Sequence, residues 1–407
     1  MKILKATWLV TCDNNSTIIE NGAVVYDEMI IDIDSFDVIH KKYPNENIED
    51  LGENSVLMPG LINSHVHLEF SANKTTLKYG NFLDWLHSVM NNREELVEKS
   101  SQVLIEKELK KMLKTGTTTI GAISSYGFDL KPCLQTPLNV VYFNEVIGSK
   151  PEMIDTLFSD FKARLNTTLQ HKSRRFIPAI AIHSPYSVHP FLLREVLQIA
   201  KEKELCVTAH FLESREEKEW LQDNSGGFLE FFMKLLGQSQ SVTSPLEFLE
   251  QFKGLKHLSF THCVEANEEE LEKIASLHAV INHCPTSNRL LNNTKLNLKK
   301  LGDIPFSLGT DGLSSNNSLS MFDELRNALM IHTHRNVNRL AQKLLKAATL
   351  NGAVALGLNK GSLEKGKQSD LIAFYLPDCV CNVEDVATHI ILHTKYASRI
   401  IIGGNDV

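Results

Sequence analysis

A small set of histidines and carboxylates in this chain has the types and spacing to hold a metal ion. Asn63-Ser64-His65-Val66-His67 sets two imidazoles two residues apart. In an extended strand, residues i and i+2 project from one face, close enough to share a cation. Thr208-Ala209-His210-Phe211-Leu212-Glu213 supplies a third imidazole, with a carboxylate following it. Gly309-Thr310-Asp311-Gly312 supplies an aspartate behind an apolar stretch at residues 304–308. Three His and one Asp suit Zn2+ or Fe2+ and leave a position open for water. Such a cation lowers the pKa of its water towards ~7, which makes a nucleophile available at neutral pH. Taken singly, each motif has an ordinary explanation: a polar pair on an exposed strand, a hydrogen-bonded strand-end His, an Asp-Gly turn. Their shared position argues against those explanations.

That position comes from the elements around them. Eight short apolar runs fall at residues 61–68, 117–123, 139–147, 177–183, 206–212, 258–264, 279–284 and 306–311. Helical periodicity separates many of them, as at residues 100–114, 190–203, 268–277 and 319–332. The alternation predicts an α/β fold, a (β/α)8 TIM-type barrel with insertions. A doubly wound open sheet is the alternative, weakened because no G-x-G-x-x-G follows the first run. In such a barrel the functional groups sit at the C-terminal ends of strands. His65 and His67 end the first run, His183 the fourth, His210 and Glu213 the fifth, His262 the sixth and Asp311 the eighth. Both chain ends are β-rich, with strands expected over residues 3–11, 22–26, 29–33, 371–375 and 389–403. Residues 1–57 and 360–407 are therefore expected to meet in one small composite β-sandwich domain beside a catalytic barrel at residues 58–359.

Composition narrows the partners. The 407 residues are 43% hydrophobic and 22% charged, with a net charge of −7. No Lys/Arg stripe points to nucleic acid, and the basic stretches at residues 107–114 and Lys299-Lys300 read as solvated helix faces. No segment approaches the ~18 apolar residues of a membrane helix, and the N-terminal apolar run is too short for a signal segment. The 7 Cys are scattered and odd in number, which argues for free thiols in a reducing cytoplasm. Cys379-x-Cys381 lacks metal-site spacing, and Cys263 and Cys284 are expected to pack.

Larger segments carry a family resemblance. Met58-Pro-Gly-Leu-Ile-Asn-Ser-His-Val-His67, Lys114-Thr-Gly-Thr-Thr-Thr119, His183-Ser-Pro-Tyr186, His283-Cys-Pro-Thr-Ser-Asn288 and Gly361-Ser-Leu-Glu-Lys-Gly-Lys-Gln-Ser-Asp-Leu371 resemble the amidohydrolase superfamily. The resemblance is to its cytosine deaminase and S-adenosylhomocysteine deaminase-like branch. It implies that His65, His67, His210 and Asp311 bind one divalent metal ion per chain, Zn2+ or Fe2+. The Lys that bridges two metals in binuclear relatives is missing from residues 176–183. It also implies that Glu213 contacts the substrate and shuttles protons, that His262 orients the nucleophile, and that Asp311 accepts the water proton. His262 as a further metal ligand stays open. His183 is expected to touch a ribose hydroxyl or another polar group of the substrate. Phe70, Phe82 and Trp85, in an insertion at residues 69–93, either cover a heteroaromatic ring or pack on the barrel.

The implied reaction is hydrolytic deamination of an adenine-type nucleoside. Within the branch the chain is most similar to the aminofutalosine deaminases of the futalosine route to menaquinone, which act on 6-amino-6-deoxyfutalosine. Another adenosine derivative (S-adenosylhomocysteine, methylthioadenosine) or a free base such as guanine is the alternative. A non-catalytic binding protein is disfavoured by the retained ligand set. The benzoate of aminofutalosine would favour an Arg partner, and Arg93, Arg215 and Arg289 are the candidates. The expected partner is a nucleoside-like small molecule, without nucleic acid or membrane, and a homodimer is left open.

Overall fold

The apolar runs become eight parallel strands: Leu61–Val66, Thr117–Ser124, Asn139–Val146, Phe176–Ile182, Val207–Phe211, Leu258–His262, Val280–His283 and Phe306–Leu308. They are hydrogen-bonded to one another in that order. The computed structural model describes residues 1–72 and 75–407. The outer helices follow from simple patterning. In Gln102–Lys114, Ile105, Leu109 and Met112 are buried on one stripe while lysines face outward, as an amphipathic helix requires. Glu268–Ser276 starts with a capping box between Asn267 and Glu270, which satisfies two orphan backbone donors at the helix start.

Inside the barrel, below the mouth, lies a layer of small polar side chains. Ser307 donates to Asn282 Oδ1 (2.6 Å), and Asn282 Nδ2 donates to Ser259 and Thr261 (3.1 Å each). Ser259 donates to Thr208 (2.9 Å). Thr261 Oγ1 lies 3.3 Å from His65 Nδ1, so this network ends on a candidate ligand. A satisfied buried network specifies one arrangement because any broken member strands a polar group.

The first and eighth strands close the barrel mainly through side chains. Asn63 accepts from the Thr310 backbone (3.1 Å) and donates to its hydroxyl (2.7 Å). Ser64 donates to the Leu308 carbonyl (2.8 Å), and the Asp311 amide donates to the His65 carbonyl (3.0 Å). Glycine is needed at this seam. A Cβ on Gly309 would lie 2.8 Å from His65 Cβ, and one on Gly312 would lie 3.1 Å from His67 Cβ.

Both ends of the chain build one mixed sheet. Ser55–Pro59 pairs with Lys2–Val10 on one side and antiparallel with Leu371–Tyr375 on the other. Leu4, Leu9, Val24, Leu57, Leu363, Leu371 and Ile401 share one apolar cluster there. The strand expected over residues 389–403 is corrected: Val386–His393 is a helix, and Arg399–Ile402 alone is a strand. Val386, Ala387, Ile390 and Ile391 are buried, the i, i+1, i+4, i+5 stripe of a helix. They pack in the cluster that holds Leu340, Leu344 and Phe322, and that packing overrides the β-propensity of the isoleucines. All seven cysteines are free thiols. Among the described residues no helix is long and apolar enough to cross a membrane.

Asp370 joins the terminal sheet to the barrel. Its side chain receives Lys360 Nζ (2.5 Å), Asn139 Nδ2 (3.0 Å) and the Gly403 amide (2.8 Å). Its carbonyl receives the Gly60 amide (2.9 Å). Lys360 and Asp370 are both buried, so removing the carboxylate strands an ammonium. Asp370→Ala is expected to cost about 3–5 kcal/mol, read as a lower unfolding midpoint in denaturant. Adding Lys360→Met should restore part of the loss. A single variant as stable as the parent would remove this pair from the account.

Candidate metal centre and active site

The strand-end residues converge at the C-terminal mouth of the barrel. His67 Nε2 and His210 Nε2 are 3.3 Å apart. Asp311 Oδ1 lies 3.8 Å from His65 Nε2 and 3.6 Å from His67 Nε2. Donor atoms of His65, His67 and Asp311 lie within 4.8 Å of one another, and so do those of His65, His210 and His262. His210 donates its Nδ1–H to the His183 carbonyl (2.6 Å), so its Nε2 carries a lone pair. Burial is the main cause that holds His65, His67 and His210 below the ordinary imidazole pKa, so these rings are neutral.

His210 Nε2 thus presents its lone pair 3.3 Å from His67 Nε2, a spacing that a shared cation would also set. His65 Nε2 is buried and has no hydrogen-bond partner. Nitrogens bound tetrahedrally at ~2.0–2.1 Å to one ion sit about 3.3 Å apart. The donor set therefore fits a divalent cation. Burial would raise the Asp311 pKa, but the imidazoles of His67, His262 and His65 and the Ser287 hydroxyl hold it well below the usual carboxylate range. Its Oδ2 accepts from Ser287 (2.7 Å) and Ser315 (2.8 Å), and these bonds fix the carboxylate plane.

Glu213 Oε1 is 3.4 Å from His262 Nε2. Burial, then the charges of Asp311 and Glu217, push the Glu213 pKa well above the usual value, so the neutral acid is favoured. Its backbone is held at both ends: the amide donates to Glu217 (2.8 Å) and the carbonyl accepts from Asn292 (2.9 Å). His262 donates Nδ1–H to Asn288 Oδ1 (2.8 Å), which leaves Nε2 as an acceptor facing the site. Asn288 Nδ2 lies 3.3 Å from His283 Nδ1, and His283 Nε2 lies 3.0 Å from His332 Nε2. This buried chain sets the tautomer of His262.

His67, His210, Glu213, His262 and Asp311 open onto one pocket, which His183 also lines. His183 Nδ1 is taken by Ser187 (2.7 Å) and Ser184 (3.1 Å), so the other ring nitrogen is the one left for a ligand. Burial, with help from His67 and Arg93, lowers its pKa to about 3. Phe70, Phe82 and Trp85 also line the pocket. Phe82 is at the same time core, packed on Phe228, and Trp85 donates to the Ser314 carbonyl (2.9 Å). The insertion thus packs and covers at once.

Of the three candidate arginines, Arg93 lines the pocket, beside Tyr126. The Arg215 side chain is 81% exposed and pairs with Glu219, and Arg289 is exposed. Sequence reasoning passed over Ser287, Asn288, Ser315 and Glu217. Their signal was weak, since Ser and Asn after a strand are ordinary turn residues. It also passed over Glu145, which the strand-end rule could have found.

The family model described as "Amidohydrolase family" matches residues 56–398. The chain is 46% identical over 406 residues to a Nitratiruptor protein named aminodeoxyfutalosine deaminase, covering 100% of this chain and 99% of that one. It is 35% identical over 413 residues to a Helicobacter pylori protein named adenosine deaminase, covering 100% and 99%. A crystal structure of Helicobacter pylori aminofutalosine deaminase in complex with methylthio-coformycin superposes with a TM-score of 0.95 at 35% identity, covering 100% of both chains. On this evidence the chain belongs to the amidohydrolase family.

Proposed function

We propose that this chain, a hydrolytic deaminase, acts on the adenine ring of 6-amino-6-deoxyfutalosine, releasing ammonia and leaving a hypoxanthine ring. The observation that carries the reading is the buried Glu213 carboxyl, its pKa pushed up, held against His262 in the same pocket as the imidazole–aspartate donor set. The full-length similarity to proteins named for this activity supports the substrate.

His65, His67, His210 and Asp311 are the proposed ligands of one divalent ion, Zn2+ or Fe2+. Such an ion supplies a water whose pKa is lowered towards ~7. Glu213, as the neutral acid, gives its proton to the ring nitrogen beside the amino-bearing carbon and then takes one from the attacking water. High burial stabilises its acid form, which suits a group that holds a proton between turnovers. His262 Nε2 accepts a hydrogen bond from the attacking water and aims it at the ring carbon. Asp311 takes the second water proton, which leaves with the amino group as ammonia. His183 contacts a polar group of the substrate. Arg93, at the pocket wall beside Tyr126, is the proposed partner of the distal carboxylate.

Elemental analysis of purified protein should find close to one divalent ion per chain, and His67→Ala should lose both the ion and the activity. Two tightly held ions would overturn the mononuclear reading. Glu213→Gln should keep the metal and bind substrate while kcat falls ~10²–10⁴-fold. Near-parental kcat in that variant removes Glu213 from the mechanism. A charge-assisted contact to the benzoate is worth roughly 1.5–3 kcal/mol, so kcat/KM for 6-amino-6-deoxyfutalosine should exceed that for adenosine by about one to two decades. Arg93→Gln should shrink that ratio. Equal kcat/KM values in the parent would refute the substrate assignment.

A further inference from the structure

Glu145 is a buried carboxylate that the proposed chemistry does not use. It stands at the C-terminal end of the barrel strand Asn139–Val146 and is 2% exposed. Its Oε2 accepts from the Ser125 hydroxyl. Its Oε1 is buried without any hydrogen-bond partner. The side chain lines the same pocket as His183, His210 and Glu213. A buried acceptor left unpaired is costly, and an acceptor that faces a binding pocket can be satisfied by a ligand's donor.

The surroundings say which donor. Arg93 sits against Tyr126, with its guanidinium 5.1 Å from the ring centre. Tyr126 follows Ser125 in the chain, and Ser125 holds Glu145. On the other side, the His183 ring is 5.3 Å from that of metal-ligand candidate His210. In strand order Glu145 therefore lies between the strand end that leads to Tyr126, to which Arg93 donates, and the strand end that leads to His183. The stretch from Ser125 to Phe128 is rigidly placed, because Glu69 accepts from the amides of Ser125 (2.7 Å), Tyr126 (3.0 Å) and Phe128 (2.8 Å).

Burial, opposed by the Ser125 hydroxyl, pushes the Glu145 pKa to about 7. In either protonation state this carboxyl keeps an acceptor oxygen, to which a hydroxyl can donate. In a nucleoside with an acid at its far end, the group between base and acid is the sugar, and its hydroxyls are donors.

We infer that Glu145 is a specificity-determining residue that accepts a hydrogen bond from a sugar hydroxyl of the substrate through its free Oε1. The inference rests on the nucleoside reading of this pocket. It adds that the chain discriminates ribosides from deoxyribosides. The contact is carboxylate to hydroxyl, so losing it should cost about ten- to a hundredfold in binding or kcat/KM.

The test compares adenosine with 2′-deoxyadenosine and 3′-deoxyadenosine in two assays. Ammonia release gives kcat/KM for the parent protein, Glu145→Ala and Glu145→Gln. Calorimetric Kd values are measured in the slow Glu213→Gln background with and without Glu145→Ala. The parent should lose about ten- to a hundredfold on one deoxy analogue, while Glu145→Ala should treat that analogue and adenosine within about twofold. Glu145→Gln, which retains an acceptor oxygen, should keep part of the discrimination. Equal metal content across the variants separates a ligand contact from damage to the metal centre. Undiminished discrimination in Glu145→Ala, or none in the parent, overturns the inference even if ammonia is released. Hydroxyl-dependent binding that vanishes with Glu145→Ala, without ammonia release from any nucleoside, supports the inference while defeating the deaminase reading.

Discussion

Gly309 lies against His65 so closely that even a methyl group there would collide with its Cβ. This contact brings the last barrel strand onto the first, and the site depends on it. The same seam carries the Asp311 amide to the His65 carbonyl and Asn63 to Thr310. It sets the aspartate beside two imidazoles that reach the mouth from the opposite end of the barrel sequence. Buried neutral imidazoles and a buried carboxylate are unfavourable neighbours without a cation to share. The backbone holds them there regardless, and a bound ion stabilises the folded state by mass action.

The strand ends that carry these groups leave extended geometry abruptly. Leu212, His262 and Asp311 have φ of 46°, 73° and 59°, a region that costs a non-glycine residue roughly 1–3 kcal/mol. Each sharp turn re-aims a side chain. The turn at Leu212 separates His210 from Glu213, so both face the pocket although they are three positions apart, an offset that would put them on opposite faces of a strand. The polar layer inside the barrel and the Asn288–His283–His332 chain then fix ring orientation and tautomer. Strain, packing and hydrogen bonding together preorganise the pocket before any ligand arrives.

Much of this was legible in the residue order because parallel strands buried on both faces read as continuous apolar runs. The eight runs map onto the eight strands within a few residues, and the rule that function sits at strand C-termini gathered His65, His67, His210, Glu213, His262 and Asp311. What failed has a physical reason in each case. Residues 386–393 are rich in β-branched side chains, yet they form a helix because neighbouring helices offer an apolar groove. Arg93, Arg215 and Arg289 were indistinguishable by sequence, since reach into a pocket depends on helix orientation. Asn288 and Ser287 act through geometry that spacing does not encode. Glu145 was overlooked because a lone carboxylate in an apolar run carries no pattern with a partner.

The pairing of Ser55–Pro59 with Leu371–Tyr375 ties the beginning of the chain to its end, and translation is directional. At ~5–20 residues/s, the N-terminal strands wait roughly 15–60 s for the strand that completes their sheet. During that interval Ser55–Pro59 presents an unpaired edge of apolar backbone, the kind of surface that invites wrong pairing between nascent chains. The first barrel strand follows it directly and must likewise wait for Phe306–Leu308 before the ring can close. Completion of the sheet therefore comes late in synthesis, and a ribosome that stalls before Leu371–Tyr375 emerges leaves a chain holding the complete set of pocket residues and an unfinished sheet.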